Sequence, residues 1–424
     1  MNKTLIKLLP ILLLASTILA ACGSHTTQVK SDQARLTDPN VPAPQLDALV
    51  NGNNAFALDL YQSLRASPDN LFYSPFSISL ALGMTYGGAR GVTEAQMADV
   101  LHFDLSQAKL HPAFNQLDLA LTQGAEPENE NQQPMQLNIA NAIWGQEGYP
   151  FLPAYLDLLA LNYGAGLNLA DFTAQAEPTR LEINQWVSDQ TEERIQDLLA
   201  PGMIDASTRL VLVNAIYFKA DWQDQFDANN THKAPFYLLD GTDVQVEMMS
   251  DTQVLPYLRR ENYQAVELPY AGGTAAMDIF LPDEGAFAAF EAALDWPALQ
   301  GILASLQPVE MHLFMPKFTF SRDFELAQTL AGMGMPDAFC LGAADFSGMT
   351  GSPSLCISNV VHQAFVAVDE EGTEAAAATA VVMVESAMLY EGLELTIDRP
   401  FIFLIRDLST GQILFVGRVL NPVQ

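Results

Sequence analysis

The sequence is short of positive charge. Nineteen Lys and Arg face fifty Asp and Glu over 424 residues, a formal net charge of −31. Such a surface repels polyanions, which excludes nucleic acid, heparin-like chains and anionic headgroups as electrostatic partners. Cysteine is scarce too: three residues, with no C-x-x-C pair, so zinc ribbons and thioredoxin-like redox chemistry are out. The six histidines, at 25, 102, 111, 232, 312 and 362, form no H-E-x-x-H and no i, i+4 pair. There is no G-x-S-x-G elbow, no phosphate-binding G-x-x-x-x-G-K-[ST] and no G-x-G-x-x-G. No repeat of 20 to 50 residues is found, which disfavours a solenoid. Neither a catalytic residue nor a metal or other cofactor is expected, and a hydrolase would need an unrecognised carboxylate pair.

What is present is apolar: 49% hydrophobic residues against 16% charged is ample for a large core. Lys3 and Lys7 precede the apolar run Leu8–Leu19, broken by Pro10 and too short to span a bilayer as a permanent helix. Leu19-Ala20-Ala21-Cys22 follows and resembles the lipobox of bacterial lipoproteins. That resemblance implies removal of residues 1–21 as a signal peptide and lipidation of Cys22, with a plain signal peptide as the alternative. Residues 22–46, carrying Pro39, Pro42 and Pro44, read as a flexible tether. The expectation is an exported cell-envelope lipoprotein, outward-facing or extracellular, held to a membrane by its lipid. Cys340 and Cys356 would then remain, sixteen apart, either as one disulfide or as two buried thiols.

Residues 47–66 space Phe56, Leu60 and Leu64 by four, a helical period. Ser74-Pro75 is a helix start, with the serine capping free amides. That helix should run to Gly87 and Gly88, and another should begin at Thr93. Leu137–Trp144 alternates like a half-buried strand, and Leu210–Phe218 reads as a strand buried on both faces, interrupted by Asn214. Phe401–Ile405 and Ile413–Val419 flank a five-residue hairpin turn. Helices dominate the first half and strands the second, so the class is α+β. Gly124–Pro134 is an acidic surface loop rather than a linker, giving one domain over 47–424.

Residues 369–399 conflict with themselves. The alanines 375–378 favour helix, while Val381, Val382 and Val384 favour strand. No proline lies between Gly372 and Arg399, so every amide could join a sheet. Alternate positions Thr373, Ala375, Ala377, Thr379, Val381 and Met383 carry no charge, as a strand burying one face requires. Such local disagreement concentrates at functional sites.

Glu370-Glu371-Gly372-Thr373-Glu374-Ala375-Ala376-Ala377-Ala378 resembles the hinge of an inhibitory serpin. Asp398-Arg399-Pro400-Phe401-Ile402-Phe403, Asn70–Ser79, Asn214–Trp222 and Phe346-Ser347-Gly348-Met349 are similar to other signatures of that family, in order across 47–424. The resemblance implies three β-sheets with eight or nine helices and an exposed reactive-centre loop, here about 370–395. It also implies suicide inhibition: a target protease acylates itself on the loop, and the cleaved loop inserts into the central sheet as a new strand. Thr373 would enter first, and a charge there should block entry. Glu370 resembles the hinge-base acid and Lys317 its ion-pair partner. Ser74, Ser77, Asn214 and His362 align with a polar shutter beneath the parting strands, and Trp222, with Lys317, with the breach where insertion starts.

Fourteen residues past Gly372 the scissile bond would be Ser386-Ala387, with Met383, Met388, Leu389 and Tyr390 as alternatives. No Lys or Arg lies between Gly372 and Asp398, so a trypsin-like pocket has no cation to bind. Elastase-, chymotrypsin- or subtilisin-like serine proteases are the implied targets, with papain-like cysteine proteases a second class. Heparin activation is not expected, because the region near Leu110–Thr122 offers only Lys109 and His111. The inhibitor is expected to be a monomer. A non-inhibitory family member acting as a binding module is the alternative.

Overall fold

The computed structural model describes residues 26–122, 132–133, 135–340, 343–373 and 392–424. Two β-ladders and ten α-helices make up this part. The first sheet has seven strands: Thr26–Val29, Leu167–Ala170, Gln136–Gln146, Leu210–Asp221, Gly372–Thr373, Ile357–Val368 and Phe318–Glu325, in that spatial order. The remaining strands form one nine-stranded ladder where the resemblance implied two further sheets. The seventeen-residue strand Asp243–Arg259 causes the continuity, pairing with Gln307–Pro316 and His232–Tyr237 and, at its far end, with Tyr263–Pro269. The α+β class is as expected, with ten helices among the described residues against eight or nine.

Helix Pro75–Tyr86 lies behind the first sheet and is buried at every position. Its start follows the local chemistry: Ser74 Oγ accepts from the Ser77 amide at 3.2 Å, and Pro75 occupies a position whose missing N–H costs nothing. Strand Leu210–Asp221 is buried throughout except at Lys219. Its two faces serve two cores. Leu210, Leu212, Ile216, Phe218 and Ala220 join the main core. Val211, Val213 and Ala215 pack instead under helix Phe172–Gln190, with Phe172, Ile183 and Val187.

The tether expectation needs correction over its described part. Thr26–Val29 pairs antiparallel with Leu167–Ala170, and helix Ala43–Leu64 begins before residue 47. Edge amides of a sheet readily accept another strand, and Pro44 falls in the first helical turn, where proline is tolerated. Residues 26–46 therefore belong to the folded body. Of the 124–134 loop only Gln132 and Gln133 fall among the described residues. Cys340 and Cys356 form a disulfide, which decides between the two states the sequence left open. Among the described residues no helix is long and apolar enough to cross a membrane.

Candidate functional site: the seam of the central sheet

Strands Leu210–Asp221 and Ile357–Val368 run parallel and pair directly from Leu210 and Ile357 up to Ile216 and Ala364. Above that level they diverge, and Gly372–Thr373 is wedged between them. Gly372 lies opposite Asp221, and Thr373 lies opposite both Ala220 and Val368. The wedge is tight. A Cβ on Gly372 would meet the Ala220 carbonyl oxygen at 2.1 Å, so only glycine fits. Thr373 is 2% exposed, and its hydroxyl meets the Tyr270 hydroxyl at 2.7 Å. The residue expected to enter the sheet first is already in it.

The turn leading into the wedge is bonded on every side. Asp369 Oδ1 accepts from the amides of Glu371, at 2.9 Å, and Gly372, at 3.3 Å. Trp222 donates its indole N–H to the Asp369 carbonyl and its amide to the Glu371 carbonyl. The Trp222 ring stacks on Tyr270, centroids 4.7 Å apart. Glu370 accepts from Lys317 Nζ at 2.6 Å and from Thr231 Oγ1 at 2.7 Å. Burial pushes the Glu370 carboxyl pKa up, but these two bonds outweigh it and hold it below the usual range. Asp369 and Glu371 are shifted upward, chiefly by burial. The ion pair thus leaves Glu370 as the charged member of this acidic turn that has a bonded cation.

Six residues further down both strands lies a buried polar cluster. The Ser74 amide donates to His362 Nε2 at 3.0 Å, which leaves the ring proton on Nδ1 to donate to Asn214 Oδ1. Asn214 Nδ2 donates in turn to Ser77 Oγ and Asn141 Oδ1. Asn141 Nδ2 returns a bond to the Ser77 carbonyl at 3.2 Å. Burial holds the His362 imidazole down at about 3, so it is neutral at physiological pH. A locked, neutral, solvent-free histidine is a structural partner, not a proton shuttle. The cluster lies across the seam: Asn141 and Asn214 are on strands to one side, His362 on the other, and Ser74 and Ser77 on the helix behind.

The chain after the loop re-enters on the other ladder. Leu393–Thr396 pairs parallel with Met311–Phe314, and the Tyr237 amide donates to the Asp398 carbonyl. No group of three His, Cys, Asp or Glu side chains among the described residues is placed to hold a metal.

The residues expected from sequence sort cleanly. Ser74, Ser77, Asn214 and His362 are in one bonded cluster, and Glu370, Lys317, Trp222, Gly372 and Thr373 surround one wedge. Cys22, Glu374, Ala375, Ala376, Ala377, Ala378, Met383, Ser386, Ala387, Met388, Leu389 and Tyr390 lie outside the described residues. Asn141, Asp369, Tyr270 and Thr231 were missed. An asparagine at an inward position of an alternating strand was a signal for Asn141. Tyr270 and Thr231 carry no local signal, since only the fold brings them to the hinge.

A family model for serpins (serine protease inhibitors) matches residues 51–422. The chain belongs to the serpin family. This serpin is 40% identical to the leukocyte elastase inhibitor of Xenopus laevis over 386 residues, covering 89% of this chain and all of that one. It is equally identical, over 376 residues, to an uncharacterised serpin-like protein of Thermococcus kodakarensis, covering 88% of this chain and 86% of that protein. The native-state crystal structure of tengpin, a thermophilic serpin, superposes with a TM-score of 0.79 at 29% identity, covering 94% of this chain and all of that structure.

Proposed function

We propose that this serpin is a suicide-type inhibitor of serine endopeptidases that inserts its cleaved reactive loop between strands Leu210–Asp221 and Ile357–Val368. The observation that carries the reading is the Gly372–Thr373 wedge, because it fixes the register of any continuation. Residue 372+k falls opposite 221−k on one strand, and 373+k opposite 368−k on the other. Both counts can be followed independently to the shutter. Residue 379 falls opposite 214 by the first (221 − 7) and opposite 362 by the second (368 − 6). The inward polar residue of the inserting segment, Thr379, thus comes to rest between Asn214 and His362. The next outward residue after Thr373, Glu374, falls beside Lys219 (221 − 2), an opposite-charge cross-strand pair. A segment serving only as a surface loop has no reason to match the slot at both places.

Chemically, the protease nucleophile attacks the carbonyl of the residue before the scissile bond, forming an ester as the amine of the following residue leaves with a proton. Insertion then outruns hydrolysis of that ester. The absence of Lys and Arg from 373–397 favours elastase-, chymotrypsin- or subtilisin-like targets, and the elastase inhibitor among its relatives fits the first. Papain-like cysteine proteases are the second class. The bond is Ser386-Ala387, with Met383, Met388, Leu389 and Tyr390 as the neighbouring choices. The inhibitor acts as a monomer, exported and anchored outward on the cell envelope through lipid on Cys22.

The test mixes the chain from Gly23 onward with pancreatic elastase, chymotrypsin and subtilisin on a denaturing gel, and sequences the released fragment. An SDS-stable band with cleavage between Met383 and Tyr390 supports the proposal. Cleavage with neither a covalent band nor a rise in thermal stability overturns it in favour of a binding module.

A further inference from the structure

The docked N-terminal segment fixes where this chain leaves its own body. Thr26 pairs with Ala170, Ala170 with Gln146, and Gly145 with Leu210, so Thr26 is level with residue 209 of the central strand. Gly372 lies opposite Asp221 of the same strand. Twelve residues, about 40 Å of strand, separate the two levels. The N-terminal exit and the hinge are therefore at opposite poles of the sheet.

The segment is tied along its length. Thr26 Oγ1 bonds Glu182, and Ser31 Oγ bonds Asp157. Arg35 reaches Asp118 at 2.6 Å and Asn115 at 2.7 Å. The Leu36 amide donates to the Leu161 carbonyl, and the Val41 amide to Gln116 Oε1. The free length is correspondingly short. Cys22 is four residues from Thr26, a reach of at most about 14 Å.

Resting on the lipidation of Cys22 proposed above, we infer that the pole around Gln146, Ala170 and Thr26 is the membrane-facing surface of this serpin. Its partner there is a lipid headgroup layer, and the hinge pole projects away from it. Chain length, not affinity, holds the two together, since a net charge of −31 offers an anionic surface no attraction. In that orientation the loop meets proteases arriving from outside. Trapping then reverses the geometry. Ser386, fourteen residues past Gly372, comes level with residue 207, and four strand spacings, about 19 Å, separate it from the N-terminal strand. The captured protease finishes at the anchored pole, against the bilayer.

The test uses the lipidated full chain in phosphatidylcholine vesicles containing a rhodamine-labelled lipid, with one donor dye on Glu147→Cys at the anchored pole or on Gln223→Cys at the hinge pole. Both positions are exposed. Energy transfer to the bilayer several-fold greater from Glu147→Cys than from Gln223→Cys is expected. A Gly-Ser insert of about 20 residues after Cys22 should remove most of that difference. Equal or reversed transfer in chains whose intact mass shows lipid on Cys22 overturns the placement while the anchor stands. A persistent difference with the insert overturns the claim that chain length holds the pole. An intact mass without lipid removes the anchor and this inference together.

Discussion

Replacing Thr373 by arginine puts a number on the wedge. At 2% exposure, and level with the Ala220 and Val368 backbones, the Thr373 side chain is out of solvent and bonded to the Tyr270 hydroxyl. An uncompensated buried charge costs roughly 3 kcal/mol or more. The intact chain can relieve this by withdrawing two residues from the end of the sheet. The inserted strand cannot, because everything after residue 373 must pass the same level. The penalty therefore falls on insertion, and at about 1.4 kcal/mol per tenfold in rate it slows that step by about 100-fold. Hydrolysis of the ester is untouched, so the variant should behave as a substrate: cleaved, with little covalent complex. Titrating active elastase and comparing complex with cleaved bands gives the partition directly. Thr373→Ser, which keeps the hydroxyl, should trap like the parent. An undiminished complex yield in Thr373→Arg refutes the reasoning.

Three further expectations follow from the structure. Asn141→Ala removes an acceptor shared by Asn214 and Ser77 and should cost about 1–3 kcal/mol of native stability in denaturant unfolding, and an unchanged midpoint contradicts the bonding described. His362 is held at about 3 by burial, whereas an unfolded histidine titrates near about 6.5, so the unfolded state takes up the extra proton in between. Its contribution is complete above that upper value and is lost as pH falls toward 3. His111, lowered to about 4 by burial and then by Arg90, acts in the same direction. The melting temperature should drop between pH 7 and pH 4, less steeply in His362→Gln, and equal slopes would count against it. Finally, Cys340 and Cys356 close a loop of sixteen residues, so reduction should remove about 3 kcal/mol of stability, read as a lowered unfolding midpoint that Cys340→Ser with Cys356→Ser reproduces.

Some of this molecule was written locally. The helix at Pro75 followed from a serine cap before a proline, because capping needs only neighbours in the chain. The buried strand at Leu210 followed from a run of apolar and β-branched residues, and Asn214 stood out in it as a polar group that needed a partner. The mixed helix-and-strand signals of 375–384 marked the segment whose insertion is proposed, and its uncharged alternate positions fit the register that Gly372 and Thr373 set.

Other features depended on distance in the chain. Asn141, Tyr270 and Thr231 reach the seam from strands or turns 73, 103 and 139 residues away from their partners, and no local pattern encodes such meetings. The N-terminal segment is the sharper case. Its prolines and small polar residues read as a free tether, since composition reports what a segment cannot do alone. The open edge at Leu167–Ala170 supplied hydrogen bonds the segment could not make with itself, and that edge exists only once the sheet is built. Sequence alone marked the residues of hinge and shutter. The tertiary structure decided that Gly372 and Thr373 are already seated in the sheet and that Thr26 lies at the far pole, because both depend on which strands become neighbours.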